Sequence, residues 1–273
     1  MTRFITSSFS HLILLIGILI MVVPVWMIFA SSTHTNSMIN MNGLQMFLGD
    51  SFYENYLRVL LYQGGFSKEI TALKMFFNSF IMATGVAILS VVTSLMAAYA
   101  LVYYRIKHAT LLFWIIFITI LVPLELRIFP TYSVMAELNL VNSYFGLIVP
   151  ISASAIATLF FRQFYKTVPD ELLESAKLDG ANTWRFFVDF LIPLSKTMIV
   201  AMLIFMFVFG YNQYLWPLLV TTSEQYWTVV MGLKMMSGSI VYRFAFVMMS
   251  MVPPVLIIIV LQKYFIRGVF QDK

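Results

Sequence analysis

Between Phe76 and Val102 the chain carries no charged residue. As a helix rising 1.5 Å per residue, that run is long enough to cross a hydrocarbon core of roughly 30 Å. Small or hydroxylated side chains within it, such as Ser79, Ser90, Thr93 and Ser94, permit close helix packing. Further apolar runs cover about 12–30, 110–130, 145–162, 197–215 and 244–262. In lipid each segment must satisfy its own backbone groups, so these runs predict an all-α integral membrane fold of six transmembrane helices in a single domain, 1–273.

Composition excludes the other broad classes. With 61% hydrophobic and 11% charged residues and a mean hydropathy of +0.89, the chain cannot build an ordinary soluble surface. It has no cysteine, hence no disulfide, thiolate metal site or cysteine nucleophile. His11, His34 and His108 lie far apart, without metal-ligand spacing. The net charge of +5 is not gathered with exposed aromatics on a polar domain, so no nucleic acid is expected as partner. No Gly-x4-Gly-Lys-Ser/Thr run is present, and neither a catalytic residue nor a cofactor is assigned to this chain.

The first run, preceded by Arg3 and containing Pro24, is too long for a cleaved leader and reads as a retained signal anchor. The loop 31–74 is mixed, with Asp50, Glu54, Arg58, Lys68, Glu69 and the pair Gly64-Gly65. Within it Phe52, Tyr56, Val59, Leu60 and Leu61 suggest a short amphipathic helix lying against the others. With the N-terminus inside, eleven of the 17 lysines and arginines fall on the cytoplasmic side and six outside. That bias predicts both termini in the cytoplasm.

The densest charge lies in the connection 163–196, on the inner side of that topology. Pro169 suits a first helical position, Asp170 and Glu171 face the positive end of the dipole, Lys177 falls in the last turn and Gly180 can form a left-handed cap. Asn182 can cap a second helix from Thr183 to Ile192, with Arg185 and Asp189 spaced i,i+4 and Pro193 interrupting it. Two short helices bent at a glycine make a stiff knob that a soluble partner can grip; the plain alternative is a solvated loop.

Glu174-Ser175-Ala176, three residues, Gly180, nine residues and Phe190-Leu191-Ile192-Pro193 resemble the Glu-Ala-Ala…Gly…Ile-x-Leu-Pro motif in the membrane subunits of ATP-binding-cassette importers. Ser175, Phe190 and Ile192 depart from that pattern while the spacing is kept. Asn78-Ser79, Glu54-Asn55-Tyr56, Phe161-Arg162-Gln163-Phe164 and Asn212-Gln213-Tyr214-Leu215-Trp216-Pro217 are similar to sugar-type permeases of this family.

The resemblance implies the type I importer permease fold in a bacterial inner membrane, with 163–196 as the cytoplasmic coupling loop and Glu174, Ala176, Asp179 and Gly180 carrying contact or shape. It further implies a second permease as heterodimer partner, two cytoplasmic ATPases that use ATP and Mg, and an extracytoplasmic substrate-binding protein. Membrane lipid is the surrounding partner.

Two polar groups interrupt otherwise apolar surroundings. Glu125 and Arg127, between Pro123 and Pro130, are ionisable at or near membrane depth, where they point to a pathway or a buried pair, or else snorkel to the outer interface. At the end of the fifth run, Tyr211 and Asn212 are pathway candidates, whereas Tyr214 and Trp216 read as an interfacial aromatic belt.

Glu125-Leu126-Arg127-Ile128-Phe129-Pro130, Pro193-Leu194-Ser195-Lys196-Thr197 and the 211–217 run resemble the sn-glycerol-3-phosphate branch of the family. For such a substrate Arg127 would hold phosphate oxygens while Glu125 fixes its direction. A neutral oligosaccharide or polyol is the alternative substrate. An ion-driven carrier is a weaker reading, with Glu125 its sole proton-site candidate.

Overall fold

The computed structural model describes residues 2–61, 70–236 and 238–270, with side chains described for 10–61, 70–123, 125–236 and 238–262. Gly64, Gly65, Lys68, Glu69 and Lys273 lie outside the described residues, as do the side chains of Arg3, Lys263 and Arg267. Among the described residues the chain is helical without strands.

In order, the helices are α1 (Thr2–Ser32), α2 (Asn36–Asn42), α3 (Phe52–Leu61), α4 (Ala72–Tyr103), α5 (Ala109–Ile118), α6 (Leu124–Glu137), α7 (Tyr144–Ile148) and α8 (Ala155–Thr167). They continue with α9 (Asp170–Leu178), α10 (Thr183–Arg185), α11 (Ile192–Leu194), α12 (Lys196–Tyr211), α13 (Leu215–Val220), α14 (Val229–Met235) and α15 (Ile240–Phe270). Among the described residues, three stretches are long and apolar enough to cross a membrane unbroken: Ser10–Ser32, Ala72–Tyr103 and Ile240–Gln262. Three bent pairs bring the total to as many as six, by length and composition.

Each bend has a local cause. Between α5 and α6 a 3₁₀ turn, Thr119–Leu121, runs into Val122 in extended geometry, as the residue before a proline must be, and the chain bends by 103° at Pro123. The expected third span, 110–130, is therefore two helices, and Pro130 sits inside the second one. Between α7 and α8 the 3₁₀ turn Val149–Ile151 contains Pro150, and Ser154 restarts the helix by accepting the Ala157 N–H at 3.1 Å, giving a 50° bend. The expected fourth span, 145–162, contains this break, and its second half runs on to Thr167.

Between α11 and α12 the bend is 76° and falls at Ser195 rather than at Pro193. A π-helical run, Phe186–Leu191, joins α10 to α11. That wider winding relieves the clash of a proline ring with the carbonyl four residues back, so the helix carries Pro193 and ends two residues later.

The chain divides into two units, 1–76 with 232–252, and 77–231 with 253–273. In the first unit, α1 leaves Leu12 to Val22 exposed. The segment after it is tied down by buried polar side chains. Asn55 Nδ2 donates to the Ser32 and His34 carbonyls at 2.9 and 2.8 Å, Thr33 Oγ1 accepts the Gly49 N–H at 2.6 Å, and Ser31 Oγ accepts the Gln45 N–H at 2.8 Å. On α3 the expected apolar face is only partly covered: Val59 is buried, Tyr56 and Leu60 half-buried, Phe52 and Leu61 exposed.

Among the described residues the second unit holds two hydrophobic clusters. The larger gathers Val91, Leu95 and Tyr99 of α4, Phe161 and Tyr165 of α8, Ala176 of α9, Phe186 and Phe187 of the π-helical run and Met202, Phe207 and Tyr211 of α12. The smaller joins Met82 and Val86 of α4 to Ile128 and Met135 of α6, Leu147 of α7 and Trp216 and Val220 of α13. Gly210 lets α12 approach α4: a Cβ there would lie 3.1 Å from the Ala83 Cα and the Val86 Cβ.

Candidate functional sites

The first site is the bent connection after α8. Pro169 takes extended backbone (φ −61°, ψ 140°) immediately ahead of α9, so it precedes the helix rather than opening it. Asp170 and Glu171 occupy the first turn and Lys177 the last, a charge order that suits the helix dipole. The helix ends in a Schellman arrangement, with the Ala181 N–H bonded to the Ala176 carbonyl at 2.9 Å and Gly180 at φ +77°. A side chain at 180 would meet nothing within 4 Å, so the requirement there is conformational and not a matter of space.

Asn182 Oδ1 then accepts the Arg185 N–H at 2.8 Å, and Arg185 Nε donates to Asp189 Oδ2 at 3.2 Å in an exposed pair. Tyr99 of α4, largely buried, donates its hydroxyl to the Thr183 carbonyl at 2.7 Å, tying the start of α10 to the bundle.

The four residues singled out in this motif divide by exposure. Glu174, Asp179 and Gly180 face outward, while Ala176 is fully buried in the larger cluster, where it seats α9 and has no surface to offer a partner. Sequence reasoning passed over two apolar side chains beside them. Leu178 is 89% exposed and Trp184 is 64% exposed, one on each side of Gly180. For Leu178 the available signal was an apolar residue in a charged stretch whose i−3 and i−4 neighbours, Ser175 and Glu174, are polar; Trp184, in ring contact with buried Phe187 at i+3, gave no such signal.

The second site is a cavity of about 320 Å³ at the helix breaks of the second unit. Arg127 and Thr131 of α6, Thr119 of the turn before it, Ser154 at the start of α8, Phe209 of α12 and Trp216 of α13 line it. Arg127 is its cation. Thr131 Oγ1 is bonded to the Arg127 carbonyl at 2.7 Å and Thr119 Oγ1 to the Ile116 carbonyl at 2.6 Å, so both hydroxyl oxygens keep lone pairs free to accept.

The other pathway candidates are elsewhere. Glu125 is exposed, does not line the cavity and, among the described residues, makes no ion pair with Arg127. Two residues apart on one helix they point to different sides, which corrects the expectation that Glu125 steers the guanidinium. Tyr211 is buried in the larger cluster, stacked on Phe207 with ring centroids 5.9 Å apart. Asn212 is exposed where α12 ends and is not part of the cavity wall. Trp216 is no interfacial anchor: it is 1% exposed, and its indole N–H donates to the Gly146 carbonyl at 3.0 Å.

Other structural polar residues hold the loop after α13. Asn78, fully buried, donates to the Gln225 and Trp227 carbonyls at 2.8 and 2.9 Å and accepts the Tyr144 hydroxyl at 2.8 Å. Asn142, itself at φ +57°, accepts the Thr222 and Ser223 N–H groups at 2.7 and 2.8 Å. Ser79 Oγ accepts the Val229 N–H at 2.8 Å. Removing Ser79 would leave the buried Val229 N–H unpaired, and removing Asn78 would free two part-buried carbonyls, which is the physical reason that these polar side chains sit in apolar surroundings; the Asn142 bonds lie nearer the surface.

Comparison with known proteins agrees with this architecture. The family described as binding-protein-dependent transport system inner membrane component matches residues 90–271. The chain belongs to that family: it is a multi-pass inner-membrane permease with the all-α fold of an ATP-binding-cassette importer.

It is 36% identical to the sn-glycerol-3-phosphate transport system permease protein UgpE of Brucella melitensis, over 99% of this chain and 98% of that one. It is 39% identical to the protein of the same name from Pectobacterium atrosepticum, over 97% and 96%, and 38% identical to that of Yersinia pestis, over 97% and 96%. A solved bacterial ABC transporter involved in the import of the acidic polysaccharide alginate shares the fold, with a TM-score of 0.82, 22% identity and 96% of both chains covered.

Proposed function

We propose that this chain is one permease of an importer for sn-glycerol-3-phosphate or its diesters, and that Arg127 receives the phosphate. The observation that carries the reading is the cavity at the helix breaks, whose cation is Arg127 and whose wall includes the hydroxyls of Thr119 and Thr131. A planar guanidinium donates two parallel hydrogen bonds to phosphate oxygens, and the Thr119 and Thr131 oxygens, whose protons are used on backbone carbonyls, can accept from the glycerol hydroxyls. The names of relatives at 36–39% identity support the same substrate.

The knob of α9 and α10 couples this permease to a cytoplasmic ATPase. Glu174, Asp179, Leu178 and Trp184 are its exposed face, while buried Ala176 and the Tyr99 hydrogen bond transmit displacement to α4 and the larger cluster. ATP and Mg belong to that partner. The assembly contains a second permease, two ATPases and an extracytoplasmic binding protein, with both termini of this chain cytoplasmic. Six spans are made by the long helices and the bent pairs, with 163–196 inside and 31–74 outside.

The test is uptake of labelled sn-glycerol-3-phosphate by cells or proteoliposomes carrying the assembled transporter, native and Arg127→Ala, with a neutral polyol or maltose-like sugar as competitor. Loss of uptake in the variant, with the complex still copurifying and no competition from the neutral sugar, is expected. Unchanged uptake would remove the phosphate role of Arg127, and competition by the neutral sugar would favour an oligosaccharide permease instead.

A further inference from the structure

Arg162 has no part in either site. It lies on α8, 7% exposed, with its guanidinium carbon 3.9 Å over the ring of Phe113 on α5, and among the described residues its Nε–H makes no hydrogen bond. A ring face balances part of the charge but accepts no hydrogen bond of normal strength, so a buried donor remains unsatisfied.

Beside it, between α5 and α8, opens a groove of about 410 Å³. Lys166, one turn further along α8, and Gln163 line it on the polar side, and Phe113, Trp114 and Phe117 on the apolar side. Among the described residues no carboxylate lines it.

The groove is at the polar end of both helices. Thr110, in its wall, is in the first turn of α5, which follows Arg105, Lys107 and His108; Lys166 is in the last turn of α8, just ahead of Val168-Pro169. From that end Leu111, Ile115 and Ile118 of α5 are exposed, an apolar stripe running along the helix beside the groove. Trp114, half exposed at its mouth, has the amphipathic ring that collects at headgroup depth.

From these features we infer that the groove between α5 and α8 binds the phosphate of an anionic phospholipid, held by Arg162 and Lys166, with the acyl chains along the exposed face of α5. A phosphate in the groove answers the Arg162 charge, which the Phe113 ring balances only in part. Two cations without a carboxylate favour a net negative headgroup over a zwitterionic one. Aromatic walls beside an apolar stripe favour a lipid over free phosphate. The inference does not depend on which substrate the permease carries.

The test uses the assembled transporter, purified in detergent and examined by native mass spectrometry after addition of phosphatidylglycerol or phosphatidylcholine. Phosphatidylglycerol should be retained on the order of tenfold better than phosphatidylcholine. Lys166→Gln, an exposed change that leaves the fold alone, should lower retention by about fivefold. Arg162→Gln should abolish the preference.

Equal retention of both lipids, or full retention by Lys166→Gln, would overturn the inference. So would displacement of the lipid by excess inorganic phosphate, which would make this a free-anion site. The chain has no cysteine, so Gln163→Cys gives a single label. Its crosslinking to the second permease would mean that protein covers the groove, and its reaction with a maleimide lipid probe is the expected result.

Discussion

The knob of α9 and α10 and the cavity around Arg127 are both candidate functional sites on one chain, yet they are built by opposite means. The knob is assembled from residues close in sequence: Ala176 to Ala181 closes one helix, Asn182 to Arg185 opens the next, and the longest reach is the Tyr99 hydrogen bond. The cavity wall comes from four helices and two 3₁₀ turns, with residues from Thr119 to Trp216, and no two consecutive segments suffice to make it. The first site is therefore vulnerable to changes in backbone conformation. The second is vulnerable to changes in side-chain chemistry.

Gly180→Val tests the first half of that contrast and should have the largest effect. At φ +77° a β-branched residue costs about 1–2 kcal/mol locally and shifts the exit of α9. Substrate-stimulated ATPase activity and uptake should both fall to near background, although the cavity is untouched. Normal transport by this variant would break the reading of the knob as the coupling element.

Arg127→Ala comes next, with uptake reduced about tenfold to a hundredfold, in line with a charge-assisted hydrogen-bond pair worth roughly 1.5–3 kcal/mol. Basal ATPase activity should persist. Glu125→Gln in the same assay should change uptake less than about twofold, because Glu125 is outside the cavity wall. A loss equal to that of Arg127→Ala would mean that the two act as a unit.

The comparison is sharpened by changing the knob without bending it. Ala176→Leu forces three more carbons into a filled cluster and should lower stability by about 1–3 kcal/mol, read as a shift in Tm of the purified permease. Leu178→Ala with Trp184→Ala should leave Tm unchanged, since both are exposed, while weakening copurification of the ATPase. Arg185→Ala should have the smallest effect, under about 1 kcal/mol, because its pair with Asp189 is solvated on both sides. A larger loss of ATPase copurification would assign Arg185 to the contact itself.

Legibility in the sequence followed the same division. Pro169, Gly180 and Asn182 announced helix ends that the structure contains, with Pro169 shifted by one position and the interruption at Pro193 moved to Ser195. The shift at Pro193 was hidden because a π-helical turn is selected by the burial of Phe186, Phe187 and Leu191, which a local pattern does not encode. Trp216 was misread for a related reason. A tryptophan at the end of an apolar run suits a membrane interface equally well, and only the packing of α13 against α6 and α7 buries it.

What the sequence determined by itself is the set of apolar segments and the shape of the charged knob. Backbone satisfaction in lipid and helix capping both act over a few residues, and composition settles them. Which polar groups meet was decided by tertiary structure. Arg127 faces a cavity while Glu125 does not, Tyr211 is packed away, and Arg162 lies over Phe113, because bends of tens of degrees between helices turn each side chain toward partners far along the chain. Burial and pairing energies acting across those distances select the arrangement, and no periodicity in the chain carries that information.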